Sequence, residues 1–259
     1  MKLNLLIIFL AFSTVSQAQD SSKWDINPSA DIVSRYVWRG IDFGGSPSIQ
    51  PSLTFQNGNL EFGFWGAYAV SGSYQEADLY ISYSFLDELF SIGITDYFFP
   101  DMASIDQGYF NWNNNTGHVL EANLAFNGSS KFPLAITANT FVYGADKVFS
   151  DSTWNLNDSV HQMNSKNGYS TYCEITYSFE VKKTTIDVFA GFNLKGVNFE
   201  DAILRGGEGF YLDGPGFTNI GLTASREIPV SGKFSLPVYS SLIVNPKRER
   251  IYMVFGFTL

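Results

Sequence analysis

Asp78-Leu79-Tyr80-Ile81-Ser82-Tyr83-Ser84-Phe85 changes chemistry at every step: Ile81, Tyr83 and Phe85 share one parity, and Asp78, Tyr80, Ser82 and Ser84 share the other. The same alternation runs through Ile186, Val188, Ala190, Phe192 and Leu194 against Asp187 and Asn193. Successive side chains of an extended chain point to opposite faces, so each such segment has one apolar and one polar face. About twelve segments of roughly ten residues read this way, which is the pattern of an antiparallel β-barrel that crosses an outer membrane.

Working outward from that stretch, strands are expected at 30–41, 47–56, 60–70, 76–85, 89–98, 118–126, 134–143, 169–179, 185–195, 217–228, 234–244 and 251–259. Turn chemistry separates them at Asn57-Gly58, Asp87-Glu88, Asn127-Gly128, Lys182-Lys183 and Ser231-Gly232. Those five connections are short. The others, 41–46, 71–75, 99–117, 144–168, 196–216 and 245–250, include three long ones. Short periplasmic turns alternating with longer external loops imply an even strand count, an up-and-down topology and both ends of the barrel domain in the periplasm.

Parity also separates lumen from exterior. An arginine facing lipid at the midplane of a barrel costs roughly 2–4 kcal/mol, so Arg35 and Arg39 are expected to point inward. By the same rule Asp31, Glu61, Asp78, Glu121, Glu174 and Asp187 line the pore. Arg35 and Arg39, read as members of one continuous strand, would share a face about 13 Å apart. Phe55, Phe85, Phe90, Phe126 and Phe179 fall near the periplasmic ends, and Tyr36, Trp38 and Tyr68 near the outer ends, as two aromatic girdles. Trp65, Tyr80, Tyr97, Phe141, Tyr172, Phe189 and Tyr239 take inward parity and are large enough to narrow the lumen. A soluble β-sandwich with an aromatic core is the competing reading.

The chain starts with Lys2, an apolar run from Leu5 to Phe12 and Ser16-Gln17-Ala18, the pattern of a secretory leader over 1–18 followed by a single barrel domain over 19–259. No later stretch is apolar for the roughly eighteen residues that a helical span needs. Aromatic residues make up 17% of the chain and the formal net charge is −9. That acidity argues against nucleic acid as a partner, since phosphate contacts need clustered Lys and Arg. Cys173 is the one cysteine, so no intramolecular disulfide forms. No metal-binding, phosphate-loop or serine-hydrolase motif is present, and no cofactor is expected. Ile251, Met253, Phe255, Phe257 and Leu259 alternate to the last residue; such a closing strand suits recognition by outer-membrane assembly machinery.

Ser34-Arg35-Tyr36-Val37-Trp38-Arg39-Gly40, followed by Pro47, Gln50-Pro51 and Gly63-Phe64-Trp65-Gly66, resembles the TorF-like porin family (Gcw_chp-type bacterial outer-membrane proteins). The resemblance covers about the first third of the sequence after the leader. It implies a porin-type barrel and brings no catalytic set.

Three classes of function follow. The favoured one is a channel for passive diffusion of small solutes across the bacterial outer membrane, with outer-membrane lipid and small solutes as partners. Six lumenal acids against two arginines would make it cation-preferring. The second is a closed barrel with a structural or surface-binding role. In either, Arg35 and Arg39 are expected first to brace the wall by pairing with lumenal carboxylates, a role compatible with lining a pore. The third is a lipid hydrolase. His118, one of two histidines, has outward parity at an external strand end beside Asp96, a pair able to orient a general base. No serine of matching parity stands nearby, so a non-enzymatic role is expected.

Overall fold

The computed structural model describes residues 24–100, 108–113, 116–150, 164–195, 214–232 and 234–259. The expected leader, His161 and Ser104 lie outside the described residues. Within them the fold is all-β: β1 (Asp25–Val33), β2 (Tyr36–Trp38), β3 (Ile41–Phe43), β4 (Ser48–Asn57), β5 (Leu60–Ala69), β6 (Gln75–Phe85), β7 (Phe90–Phe98), β8 (His118–Phe126), β9 (Leu134–Gly144), β10 (Lys147–Ser150), β11 (Asn164–Asn167), β12 (Thr171–Val181), β13 (Thr184–Lys195), β14 (Gly216–Ser231), β15 (Phe234–Asn245) and β16 (Arg250–Thr258). Twelve of these close into one barrel in the order β1-β4-β5-β6-β7-β8-β9-β12-β13-β14-β15-β16, with β16 returning to β1. Every neighbour is antiparallel, so this is an up-and-down barrel. The hairpins β2–β3 and β10–β11 stand apart from the wall.

Eleven expected wall strands coincide with observed ones to within a few residues. The first departs from its expected course. A continuous strand over 30–41 is not what forms: the wall strand begins at Asp25, ends at Val33, and the chain turns away after Ser34-Arg35. Arg35 and Arg39 therefore do not share a wall face, and Tyr36 and Trp38 do not belong to an outer girdle. The physical reason lies at Arg39-Gly40. Both residues have positive φ, 49° and 78°, the requirement for a two-residue type I′ turn. The alternation through Tyr36 and Trp38 is real, but it belongs to a hairpin.

Parity sorts the remaining side chains as the sequence requires. Ile81, Tyr83, Ile92, Ile94, Ile175, Val188 and Met253 all stand exposed on the exterior. Soluble monomers rarely expose an apolar belt this continuous, and the wall of an outer-membrane barrel carries one. The twelve-strand barrel with this exterior fits an outer-membrane barrel protein. Polar groups meet inside: Thr54 with Tyr80 at 2.7 Å, Thr95 with Asn123 at 2.9 Å, and Thr223 with Ser241 at 2.7 Å. At the ends expected to be periplasmic, Phe85 and Phe90 stack with centroids 5.8 Å apart, and Phe90 meets Phe126 at 5.3 Å.

The inward rings do not simply fill the lumen. Tyr80, Tyr172, Phe189 and Tyr239 lie against Gly63, Gly191, Gly221 and Gly256 on neighbouring strands. Each glycine leaves the shelf on which a ring lies flat along the wall. A Cβ at Gly63 would sit 2.6 Å from the Tyr80 hydroxyl and 2.7 Å from the Leu53 carbonyl oxygen. Gly63→Val is therefore expected to lower barrel stability by about 1–3 kcal/mol, measured by reversible unfolding in detergent or lipid vesicles. A neutral result would show that the ring is not held against the wall.

Candidate functional site

β2 and β3 form a short hairpin with Tyr36 opposite Phe43, Val37 opposite Asp42 and Trp38 opposite Ile41. It folds into the lumen. Its base is held by Arg35, whose Nη1 donates to Asp42 Oδ2 at 2.5 Å. Its tip reaches across the barrel: Asn245 Nδ2 on β15 donates to the Gly40 carbonyl at 3.0 Å. A Cβ at Gly40 would coincide with the Thr218 carbonyl on β14, so only glycine fits there, independently of its φ.

Arg39 is the centre of the arrangement. Its guanidinium makes a two-pronged ion pair with Glu121 on β8, Nη1 to Oε1 at 2.6 Å and Nη2 to Oε2 at 2.9 Å. It also lies over the Trp38 ring at 4.3 Å and the Tyr172 ring at 4.6 Å. Glu121 has no solvent exposure, and it accepts two further bonds, from the Tyr97 hydroxyl and from Asn123 Nδ2, each at 2.9 Å. A buried carboxylate satisfied by this many donors fixes its partner in place. An arginine at φ 49° carries backbone strain of about 1–2 kcal/mol, which the ion pair offsets.

Aromatic packing completes the seal. Trp38 meets Tyr97 at 5.7 Å and Phe141 at 6.4 Å, Tyr36 meets Trp65 at 5.4 Å, and Phe43 meets Tyr74 at 4.9 Å. Trp38, Ile41, Tyr74 and Tyr97 pack against the buried cluster of Phe99, Val119, Phe141 and Tyr172. The crevice between hairpin and wall, lined by Tyr36, Trp38, Glu76 and Phe141, leaves no room for water. Beside the β6–β9 wall, a cavity of about 200 Å³ is lined by Tyr80, Ser82, Thr95, Asn123, Thr137 and Asn139 together with Ile81, Ile92 and Leu124.

The expected pore-lining residues are distributed unevenly around this plug. Glu121 and Arg39 meet directly. Glu174 accepts from the Tyr172 hydroxyl and from Asn219 Nδ2, the latter at 2.8 Å. Asp78 is buried, with Oδ1 lacking a hydrogen-bond partner among the described residues. Asp31 accepts from Thr258 and Asp187 from Ser178, both at 2.6 Å. Glu61 is half-buried opposite Gln56 and Ser82, and Arg35 is confined to the hairpin itself. Glu76 was not anticipated. It is buried and accepts from the Tyr74 hydroxyl at 2.9 Å. Its parity with Asp78 carried the signal, hidden by its place at the strand end.

The Asp96–His118 pair forms on the exterior as expected. Nδ1 of His118 is 2.9 Å from both Asp96 oxygens, and Nε2 is 2.6 Å from the Tyr109 carbonyl. Trp112 stacks on the imidazole at 3.8 Å, and the histidine is fully buried. A carbonyl only accepts, so Nε2 carries a proton and is spent on the backbone. Both nitrogens serve to clamp the 108–113 segment onto the wall, and no hydroxyl nucleophile among the described residues is bonded to either.

No protein-family model and no curated protein matches this chain.

Truncating Arg39 while Glu121 stays buried leaves an uncompensated charge. Arg39→Ala is expected to lower stability by about 3–5 kcal/mol, and adding Glu121→Gln is expected to restore a substantial part. Equilibrium unfolding of the two variants checks this; equal losses would show that the pair is not coupled. His118→Ala is expected to speed proteolysis within 108–113 and leave the barrel folded, read by limited digestion in detergent micelles.

Proposed function

We propose that this chain is a porin-type channel of the bacterial outer membrane whose conduction depends on displacement of its own lumenal hairpin. One observation carries the reading: the outer half of a polar-lined barrel is closed by a segment anchored at its tip through an ion pair and an amide hydrogen bond, Arg39–Glu121 and Asn245–Gly40. The hairpin forms a sheet of its own, and among the described residues no strand ladder joins it to the wall. The resemblance of the Tyr36–Gly40 stretch to the TorF-like family supports the same reading, as does the alternation of lengths between turns and loops.

Small solutes would pass by diffusion when the hairpin leaves its seat. With Arg39 withdrawn, Glu76, Asp78, Glu121 and Glu174 would face the path without a lumenal counter-charge from the tip, so cations and neutral polar solutes are favoured over anions. No catalysis is assigned, because His118 is committed to structure. A second reading, a closed barrel with a structural role, draws on the fit of Gly40 against Thr218 and the sandwich of Arg39 between Trp38 and Tyr172.

Planar-bilayer recordings separate the two. Wild-type protein is expected to conduct rarely and in small steps. Gly40→Val, which removes the tip from its seat, is expected to raise open probability and conductance, with a reversal potential showing cation preference. A variant that inserts but stays silent would favour the closed barrel, and anion selectivity would reject the proposed lumen electrostatics.

A further inference from the structure

The last strand of the wall is only partly paired with the first. β1 and β16 ladder at Asp31–Val33 against Gly256–Thr258. Ser34 and Phe255 form the next step, and there the pattern breaks. Residues at such a step of an antiparallel ladder exchange both backbone bonds. Here the Ser34 N donates to the Phe255 carbonyl at 2.8 Å, but the Phe255 N donates to the Ser34 hydroxyl at 2.9 Å and not to its carbonyl. Past that point the chain turns inward as β2, while β16 runs on to Arg250. Between Arg250 and Val254 no strand is laddered to this side of β16 among the described residues.

The bare stretch and β2 match each other. Continuing the register that sets Val33 opposite Gly256 brings Tyr36 opposite Met253, Val37 opposite Tyr252 and Trp38 opposite Ile251. Met253 and Ile251 are exposed on the exterior, and Tyr36 and Trp38 share the parity of exposed Ile26, so the faces agree. Val37 already packs, with Tyr252, against the cluster of Val33, Ile243 and Val254. The register stops at Trp38, because the next step would set Arg39 against Arg250. That limit is the length of β2, Tyr36–Trp38.

The same backbone groups serve both partners. In a hairpin with a two-residue turn the closing pair is hydrogen-bonded, so Trp38 turns its N–H and C=O toward Ile41, and Tyr36, two residues back, toward Phe43. Ser34 turns its N–H toward β16. Alternate residues of an extended strand point to one side, and in a prolonged β1 these would again be Tyr36 and Trp38. β2 can therefore pair with β3 or with β16 but not with both, and each pairing makes the same number of backbone bonds. Residues 39–47 reach roughly 30 Å when extended, more than the roughly 17 Å that would separate Trp38 from Ser48. Gly44 and Gly45, at φ 84° and 59°, let that link change course.

Resting on the channel reading above, we infer that the plug opens by strand exchange: β2 leaves β3 and pairs with the bare edge of β16. Tyr36 and Trp38 then face outward at the outer end of the wall, where aromatic side chains are favoured. The edge gains the strand partner that lipid cannot replace. Against this stand the contacts that hold the plug shut, Arg39–Glu121 and Asn245–Gly40.

The test uses the full chain in a Cys173→Ala background, recorded in planar bilayers under oxidising and reducing conditions, with disulfides mapped by mass spectrometry. Trp38→Cys with Ile251→Cys joins β2 to β16, and Tyr36→Cys with Met253→Cys tests the same register if the first variant does not fold. The cross-link is expected to form and to raise open probability about tenfold, reversed by reductant. Tyr36→Cys with Phe43→Cys ties β2 to β3 and is expected to abolish openings until reduced. Absence of the β2–β16 cross-link in both pairs, a cross-linked barrel no more conductive than its reduced form, or a tied hairpin that opens as often as when reduced would overturn the exchange, while conduction by Gly40→Val keeps the channel reading. Silence of every variant, Gly40→Val included, would overturn both.

Discussion

A β-sheet with an apolar outer face cannot leave its edges bare in lipid, because each unpaired N–H and C=O there costs several kcal/mol. Closure answers that constraint, and most of this molecule follows from it. Twelve antiparallel strands return to the first, and the alternation of side chains then assigns the wall residues to the exterior or to the lumen. Among the described residues the wall ladder is shortest between β1 and β16, which is also where the chain is diverted inward.

Once the wall is closed, the interior has to be satisfied as well. Two devices achieve this with different results. Toward the expected periplasmic end, rings settle on glycines, as Tyr80 does on Gly63 and Tyr239 on Gly256, and hydroxyls and amides pair across strands. Space remains there. Toward the outer end, the Tyr36–Phe43 hairpin brings its own aromatics and one guanidinium into the bore, and space disappears. The barrel is therefore asymmetric along its axis, with polar pairs across the strands toward one end and a packed plug toward the other. The plug depends on Arg39, since no other cation is paired to the buried carboxylate of Glu121 among the described residues.

Much of this was legible from residue types. The wall strands could be read because a period of two sustained over ten residues fits an extended ribbon and no helix. Turn pairs such as Asn57-Gly58 and Lys182-Lys183 fell where the chain reverses. The inward sense of Glu121, Asp78 and Asp187 followed from the cost of a charge in hydrocarbon. Even the pairing of Asp96 with His118 was visible from strand register. The fate of the arginines was only half visible: that they would pair with carboxylates was open to inference, but which partners they would find was not. Glu76 escaped notice because a residue at the start of a strand has ambiguous parity.

Sequence alone thus determined which face of each ribbon meets which solvent, because alternation is a local property that each ten-residue segment carries complete. Only the tertiary structure decided whether Tyr36–Trp38 would prolong the wall or enter the bore. The two courses have the same alternation and the same strand conformation. They differ in whether Arg39 can reach Glu121, 82 residues away, and Gly40 the amide of Asn245, 205 residues away. Those partners are neighbours only after the barrel has closed.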